Sequence, residues 1–281
     1  MEIIRIPKVM QETSKGHILH SRTIGFVPTM GALHEGHLSL VRVAKQENDI
    51  TVVSIFVNPL QFGPSEDYHQ YPRDIERDME KLRREGVDIL FLPDNNHMYP
   101  EGFCTTVEVS NLSDKLCGLF RPGHFRGVAT VVLKLLNIVN PTRAYFGQKD
   151  YQQTLIIKRM VKDLDINTDI VVCPTIREAD GIAMSSRNQY LNERERAAAS
   201  VLYRALQKGY EAIRSGIINI KEIEKTMRDV INSESLVSEI QYLSVFDPED
   251  LEELDIVKKR VLIAGAIKIG HTRLIDNILV D

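Results

Sequence analysis

The sequence is short of several things, and each shortage excludes a class of protein. Its three cysteines, Cys104, Cys117 and Cys173, stand far apart with no C-x-x-C pair. That spacing excludes a disulfide framework and a cysteine zinc site, and it suits a reducing cytosol. Positive charge is not in excess: 35 basic residues against 39 acidic ones leave a net charge of −4. A general nucleic-acid binder needs a positive field to displace counterions from phosphates, so no nucleic-acid partner is expected. No long apolar run is present either. The longest, Val128 to Val139, is broken by Lys134 and falls short of the ~20 residues that span a bilayer. The N-terminus reads Met-Glu-Ile-Ile-Arg, with charges where a signal peptide needs an apolar core. A cytoplasmic protein without a membrane partner is the expectation. No repeat, low-complexity tract or Gly/Ser-rich linker interrupts the 281 residues.

Hydrophobic residues make up 43% and charged residues 26%, enough apolar material for a packed core. The first half alternates strand and helix signals. Strands are expected at Thr23–Val27, Ile50–Val57, Val87–Leu92, Arg143–Phe146 and Asp169–Cys173. Amphipathic helices are expected at about Gly36–Glu47, from Pro72 to Glu85 with Gly86 as the stop, at Gly127–Val139 and at Tyr151–Asp163. Short, continuously apolar strands alternating with helices predict α/β architecture: a doubly wound, Rossmann-like parallel sheet. From about Ile176 the order changes to helices at Glu193–Arg214 and Ile220–Ser233, then strands at Glu239–Phe246, Arg260–Ile267 and Arg273–Val280. This predicts a smaller C-terminal α+β domain with an antiparallel sheet, and a division into residues 1–175 and 176–281.

Doubly wound sheets bind ligands at the carboxyl ends of their strands, which directs attention to the loops there. After the first strong strand comes Pro28-Thr29-Met30-Gly31-Ala32-Leu33-His34-Glu35-Gly36-His37. His34 and His37, three apart on a first helical turn, project from one face. The free N–H groups and positive dipole of that turn already favour an anion, and two imidazoles add donors for phosphate. Gly31 and Gly36 allow close backbone approach. A metal reading fails for want of a third ligand, since Glu35 faces elsewhere; no metal is assigned to protein ligands. Gly147-Gln148-Lys149-Asp150 follows another strand, with Lys149 as a point charge for phosphate and Asp150 as a helix cap. Met184-Ser185-Ser186-Arg187 adds two hydroxyls and a forked cation suited to a polyphosphate. Each of the last two, alone, reads better as a polar surface turn.

Together these stretches resemble the nucleotidylyltransferase superfamily, which includes the class I aminoacyl-tRNA synthetases. More narrowly, the ten residues 28–37, FVNPLQF at 56–62, YPR at 71–73, RPGHF at 121–125, FGQKD at 146–150, READG at 177–181, SSRN at 185–188 and RLIDN at 273–277 look like the motifs of the pantothenate synthetase family, in that family's order. They span most of the chain, and no position expected to be catalytic departs from the pattern.

The resemblance implies an ATP-dependent acid–amine ligase. (R)-pantoate would be activated as pantoyl adenylate with release of pyrophosphate, and the amine of β-alanine would then displace AMP. ATP, with Mg²⁺, is the implied co-substrate, and a homodimer the implied assembly. His34, His37, Lys149, Ser186 and Arg187 take the catalytic role, as donors to charge that develops on phosphate. Met30, Gly147, Ile176 and Met184 line the nucleotide beside the motif residues already named. Gln61 and Gln153 are the amides for pantoate, and Gln61 also lies near β-alanine. Between Gln153 and Gln152 only the resemblance decides. Asn58 is a further candidate, for phosphate or amine, with Phe56 and Val132 as walls and Arg121 and His124 in a second tier. The loop 58–71 is expected to fold over the site, and the C-terminal domain to close over it. Three other readings share some of these features: a nucleotidylyltransferase with a phosphate-bearing acceptor, a synthetase fragment acting on tRNA, and a noncatalytic ATP-sensing module.

Overall fold

A computed structural model describes residues 1–64 and 66–281; Ser65, inside the 58–71 loop, lies outside the described residues. In chain order the elements begin with β1 (Glu2–Ile4), α1 (Pro7–Leu19), β2 (Ile24–Thr29), α2 (Glu35–Glu47), β3 (Ile50–Ile55), α3 (Ile75–Glu85), β4 (Ile89–Phe91) and α4 (Asn95–Met98). They continue with α5 (Cys117–Phe120), α6 (His124–Val139), β5 (Arg143–Gly147), α7 (Tyr151–Asp163) and β6 (Asp169–Cys173). The last are α8 (Glu193–Ala198), α9 (Val201–Arg214), α10 (Ile220–Asn232), β7 (Val237–Phe246), β8 (Val261–Ile269) and β9 (Thr272–Val280). Two compact units emerge. The first holds Met1–Asp114, Arg121–Gly147 and Gln153–Pro174; the second holds Lys115–Phe120, Gln148–Gln152 and Thr175–Asp281.

The first unit is built on a six-stranded sheet of order β1-β4-β3-β2-β5-β6, and every pairing is parallel. Successive side chains of its strands point to opposite faces, and both faces are apolar. Val27, Val53 and Ile55 pack with Leu40, Val41, Met79 and Leu82 of α2 and α3 in one core cluster. Phe26 and Val52, one residue along, are equally buried, and α1 and α6 pack against β2. This is the expected doubly wound arrangement. The chain runs from β2 outward to β4 on one side and from β5 to β6 on the other, so the order reverses between β2 and β5.

At that reversal the sheet parts. β2 pairs with β3 along its whole length, from Ile24↔Ile50 to Thr29↔Ile55, but with β5 only at Gly25↔Arg143 and Phe26↔Ala144. The Thr29 carbonyl accepts from the Phe56 N–H beyond β3, so Pro28, one residue earlier, presents its ring nitrogen toward β5. Proline has no N–H to give a ladder there. A crevice at a point of strand reversal is where open α/β sheets take ligands.

The second unit carries the antiparallel sheet β7-β8-β9. Val245, Ile263 and Ile267 of that sheet share a core cluster with Leu202 and Leu206 of α9 and with Ile223 and Met227 of α10.

Some expected boundaries shift for identifiable reasons. Pro72 does not open α3; Asp74 does, its carboxylate accepting from the Arg77 N–H at 3.1 Å. Gly86 ends the helix at φ +71°, the left-handed cap that glycine adopts without strain. The helix expected over Glu193–Arg214 is two, α8 and α9, divided at Ala199 and Ser200, whose dihedrals stay in the right-handed region. β3 stops at Ile55, two residues early. β1 and α1 were absent from the expectation. β1 is three residues long, and α1 buries only Met10 and Ser14, too sparse a stripe to show a helical period.

Candidate active site

In the first unit, the turn after β2 is shaped by its backbone. Gly31 lies at φ +85° and Ala32 at φ +49°, and a Cβ on Gly31 would sit 3.1 Å from both Asp78 Oδ2 and Ile55 Cγ2. Thr29 Oγ1 accepts from the Gly31 N–H at 3.1 Å and donates to the Ser54 carbonyl at 2.8 Å. Asp78 of α3, 2% exposed, accepts from the Leu33 N–H at 2.8 Å, and Lys81 donates to the Leu33 carbonyl. Burial pushes the Asp78 carboxyl above the usual range, against the pull of that N–H and of Lys81.

This turn delivers His34 as the N-cap of α2 and His37 in its first turn, with ring centroids 4.0 Å apart. The His34 N–H donates to His37 Nδ1 at 3.4 Å. A neutral His37 ring therefore carries its proton on Nε2. Glu35, beside them, pairs with Arg42, which also holds Glu85 at 2.6 Å; the Arg42 hydrogen bond draws the Glu35 carboxyl below its usual range.

After β3 the construction uses side chains instead. Asn58 is 1% exposed, and Gln61 ends a single 3₁₀ turn, Pro59–Gln61. Asn58 Nδ2 lies 3.1 Å from Gln61 Oε1, and Gln61 Nε2 donates to Met30 Sδ at 3.1 Å. The Gln61 carbonyl accepts from Arg121 Nη2 at 3.3 Å and lies 2.8 Å from His124 Nδ1. Arg121 grips Glu66 with two bonds, 2.6 and 2.7 Å. Burial raises the Glu66 carboxyl, but Arg121, with the Gly63 N–H and His124, outweighs it and the net shift is downward. Phe56 and Val132 are both buried. On α7, Gln153 is half-buried.

In the second unit, Gln152 is committed to the fold: it accepts from the Cys117 N–H at 3.0 Å and donates to the Lys115 carbonyl at 2.7 Å. The Gln148-Lys149-Asp150 turn is held on β9 by Asn277, whose Nδ2 donates to the Gln148 and Lys149 carbonyls at 3.0 Å each. Gln148 Nε2 donates to Asn277 Oδ1 at 3.3 Å, and Lys149 Nζ lies 3.5 Å from Asp150. Residues 176–184 fold back on themselves through Met184 N–H to the Ile176 carbonyl at 3.0 Å. Arg177 braces this hairpin against buried Asp276 with bonds of 2.5 and 3.0 Å and stacks 4.0 Å over Tyr203. Burial raises the Asp276 carboxyl and Arg177 lowers it, with the rise prevailing. Ser185 caps the turn Ser186–Tyr190 by accepting from the Arg187 N–H. Ser186 is buried and Arg187 half-buried.

Within the first unit, then, Met30, His34, His37, Asn58 and Gln61 are tied by direct contacts or shared turns, as are Gln148 to Asp150 within the second. Reasoning from sequence assigned no role to Asp78, Glu66, Tyr99 or Asp276. Asp78 stands on a helix face and Glu66 and Tyr99 in loops, while Asp276 falls within the RLIDN stretch and an expected strand, where the pattern gave it no separate role. Among the described residues no three His, Cys, Asp or Glu side chains converge as a metal site.

A parted parallel sheet with a histidine-flanked helix N-terminus defines a doubly wound α/β protein with a helix end suited to an anion. The family model for pantoate-beta-alanine ligase matches residues 2–279. The pantothenate synthetase of Thermodesulfovibrio yellowstonii is 59% identical over 281 residues, 100% of each chain. The crystal structure of the Thermus thermophilus pantothenate synthetase aligns with TM-score 0.94 at 46% identity, over 99% of both chains. The pantoate-beta-alanine ligase of Francisella tularensis, complexed with beta-gamma ATP and beta-alanine, aligns with TM-score 0.81 at 39% identity, over 99% of this chain and 97% of that one. The chain belongs to the pantoate-beta-alanine ligase family.

Proposed function

We propose that this ligase joins (R)-pantoate to β-alanine at the expense of ATP, in two half-reactions. A pantoate carboxylate oxygen attacks the α-phosphorus, forming pantoyl adenylate and expelling pyrophosphate. The β-alanine amine then attacks the acyl carbon, and AMP leaves as pantothenate forms. The observation that carries this reading is the pair of imidazoles stacked on the first turn of α2, where a whole-chain family match meets a helix end suited to phosphate.

The chemistry asks for donors aimed at oxygens that gain charge. His37, with its Nε2 proton, and His34 take that role in the first unit; Lys149, Ser186 and Arg187 are assigned it in the second. Met30 to His37, Gly147 to Asp150, Ile176 and Met184 to Arg187 are the nucleotide-binding segments. Gln61 and Gln153 hold the acid. Magnesium arrives as the MgATP complex, with phosphate oxygens supplying most of its ligands, as that ion prefers. Pantoate as the acid, a homodimeric assembly, a cytoplasmic location and a division of labour between residues 1–175 and 176–281 belong to the same proposal. Among the described residues no helix is long and apolar enough to cross a membrane.

The test is pyrophosphate exchange into ATP with Mg²⁺ and a panel of acids, before any amine is added. Exchange that requires (R)-pantoate and turns to net AMP release when β-alanine joins is the expected result. ATP binding without exchange would sink it.

A further inference from the structure

We propose that Tyr99 is a positioning residue for acid recognition: through Asn58 it holds the Gln61 amide with its N–H donors turned toward the ligand. The inference rests on the ligase reading above, and its starting point is a count of hydrogen-bonding valences.

An amide side chain offers two N–H donors and two acceptor lone pairs. Buried Asn58 uses all four. Its Oδ1 accepts from the Leu60 N–H at 3.3 Å and from Tyr99 Oη at 2.6 Å; its Nδ2 faces the Gly127 carbonyl and Gln61 Oε1, each at 3.1 Å. Two of these partners are backbone groups with fixed polarity, because Leu60 N–H can only donate and Gly127 C=O can only accept. They decide which end of Asn58 is oxygen. Tyr99 must then donate its hydroxyl proton, and Gln61 must accept with Oε1. The end of Gln61 left for a ligand is Nε2, which rests on Met30 Sδ, a weak acceptor that an oxygen readily outcompetes.

Gln61 therefore recognises an acceptor oxygen of the acid, a carboxylate or a hydroxyl. The frame is closely packed at Gly127 and at Tyr99. Gly127 lies so close to the 3₁₀ turn that a Cβ there would meet the Leu60 carbonyl oxygen at 2.1 Å. Tyr99 is wedged between Phe56 and Phe103, with ring centroids 6.0 and 5.0 Å away. Burial raises the Tyr99 phenol far above its ordinary value, so it stays protonated at any working pH.

Removing the hydroxyl in Tyr99→Phe leaves the polarity of Asn58 set by Leu60 and Gly127 but takes away its shortest bond, so Asn58 Oδ1 keeps only the 3.3 Å Leu60 N–H and the position of the Asn58–Gln61 pair loosens. Pyrophosphate exchange is measured on the wild type, Tyr99→Phe, Gln61→Ala and the double variant, beside ¹⁵N–¹H spectra of the side-chain amides. Tyr99→Phe is expected to raise the KM for pantoate about tenfold, the effect of one buried hydrogen bond, with the KM for ATP and the maximal rate near wild type. It is expected to add nothing in the Gln61→Ala background, and to shift the Asn58 and Gln61 amide resonances. Equal changes in both KM values, or an effect additive with Gln61→Ala, would overturn the relay. No pantoate-dependent exchange by the wild type would sink the ligase reading instead, and the amide shifts would then decide the relay alone.

Discussion

The loops that leave the carboxyl ends of β2 and β3 start from neighbouring strands of one sheet and are held in opposite ways. The first is fixed through its main chain: two positive φ angles, a threonine hydroxyl folded onto its own backbone, and one buried carboxylate, Asp78, that accepts the Leu33 N–H. The second is fixed through side chains, Asn58 to Tyr99 and Gln61, and Glu66 to Arg121. For the first loop, proposed above to present helix-end donors to phosphate, an immovable backbone is the gain. For the second loop, proposed above to choose and admit one acid, ties that can be exchanged one at a time are the gain.

If that contrast is right, damage to the two loops will register in different quantities. The largest effect is expected from His37→Ala, which removes one preorganised donor: the maximal exchange rate should fall by about 10²–10³, with little change in KM for pantoate. A change of similar size in that KM would erase the distinction. Next is Asp78→Ala, which leaves the buried Leu33 N–H without its acceptor. Denaturant titration should report a loss of about 1–3 kcal/mol, and exchange should fall with it. Asp78→Asn keeps an acceptor oxygen and should recover much of both.

Acidification should then separate the loops by sign. Glu66 is held below its ordinary 4.5 in the folded state, so its contribution is present above that value and is lost as pH falls through the depressed one. Asp78 is held above its ordinary 3.8, so the folded state binds the proton more tightly; stability there is lost as pH rises through the raised value. Between about pH 3 and 5, amide protection factors should fall in residues 58–71 and hold or rise in residues 30–34. Parallel changes in both would show that the carboxylates are not the anchors. The smallest effect, about 1 kcal/mol, is expected from Asp74→Ala, which removes the cap of α3. It should lower the melting temperature while both KM values stay put.

The same contrast explains how much could be read from the chain. The motif 28–37 is contiguous, and the residues that give it shape, Gly31 and the two histidines, belong to it. Strand–helix alternation was equally local, so the parallel sheet, the antiparallel C-terminal sheet and the ends of α7 and β6 were legible. What was not legible is held at a distance. Asp78 stands in α3 at the margin of the apolar face formed by Ile75, Met79 and Leu82, where a carboxylate in the sequence reads as a solvated helix residue rather than as an anchor for a distant N–H. Tyr99 and Glu66 act on Asn58 and Arg121, far along the chain, and no periodicity joins such pairs. The choice of Gln153 over Gln152 rests on resemblance alone; Gln152 accepts from the Cys117 N–H and donates to the Lys115 carbonyl, ties across some 35 residues that no local pattern shows.

The parting of β2 from β5 also bears on how the fold stays clean. A sheet that splits gains two short borders in its interior, and a border of unpaired strand invites any extended segment to dock and complete it. Outer borders are commonly protected by charge or by a covering helix, but an open interior border has neither. Pro28 offers a third solution, written into the backbone: on the β2 side the ring nitrogen carries no hydrogen, so the gap stays open while giving a stray strand one less place to zip.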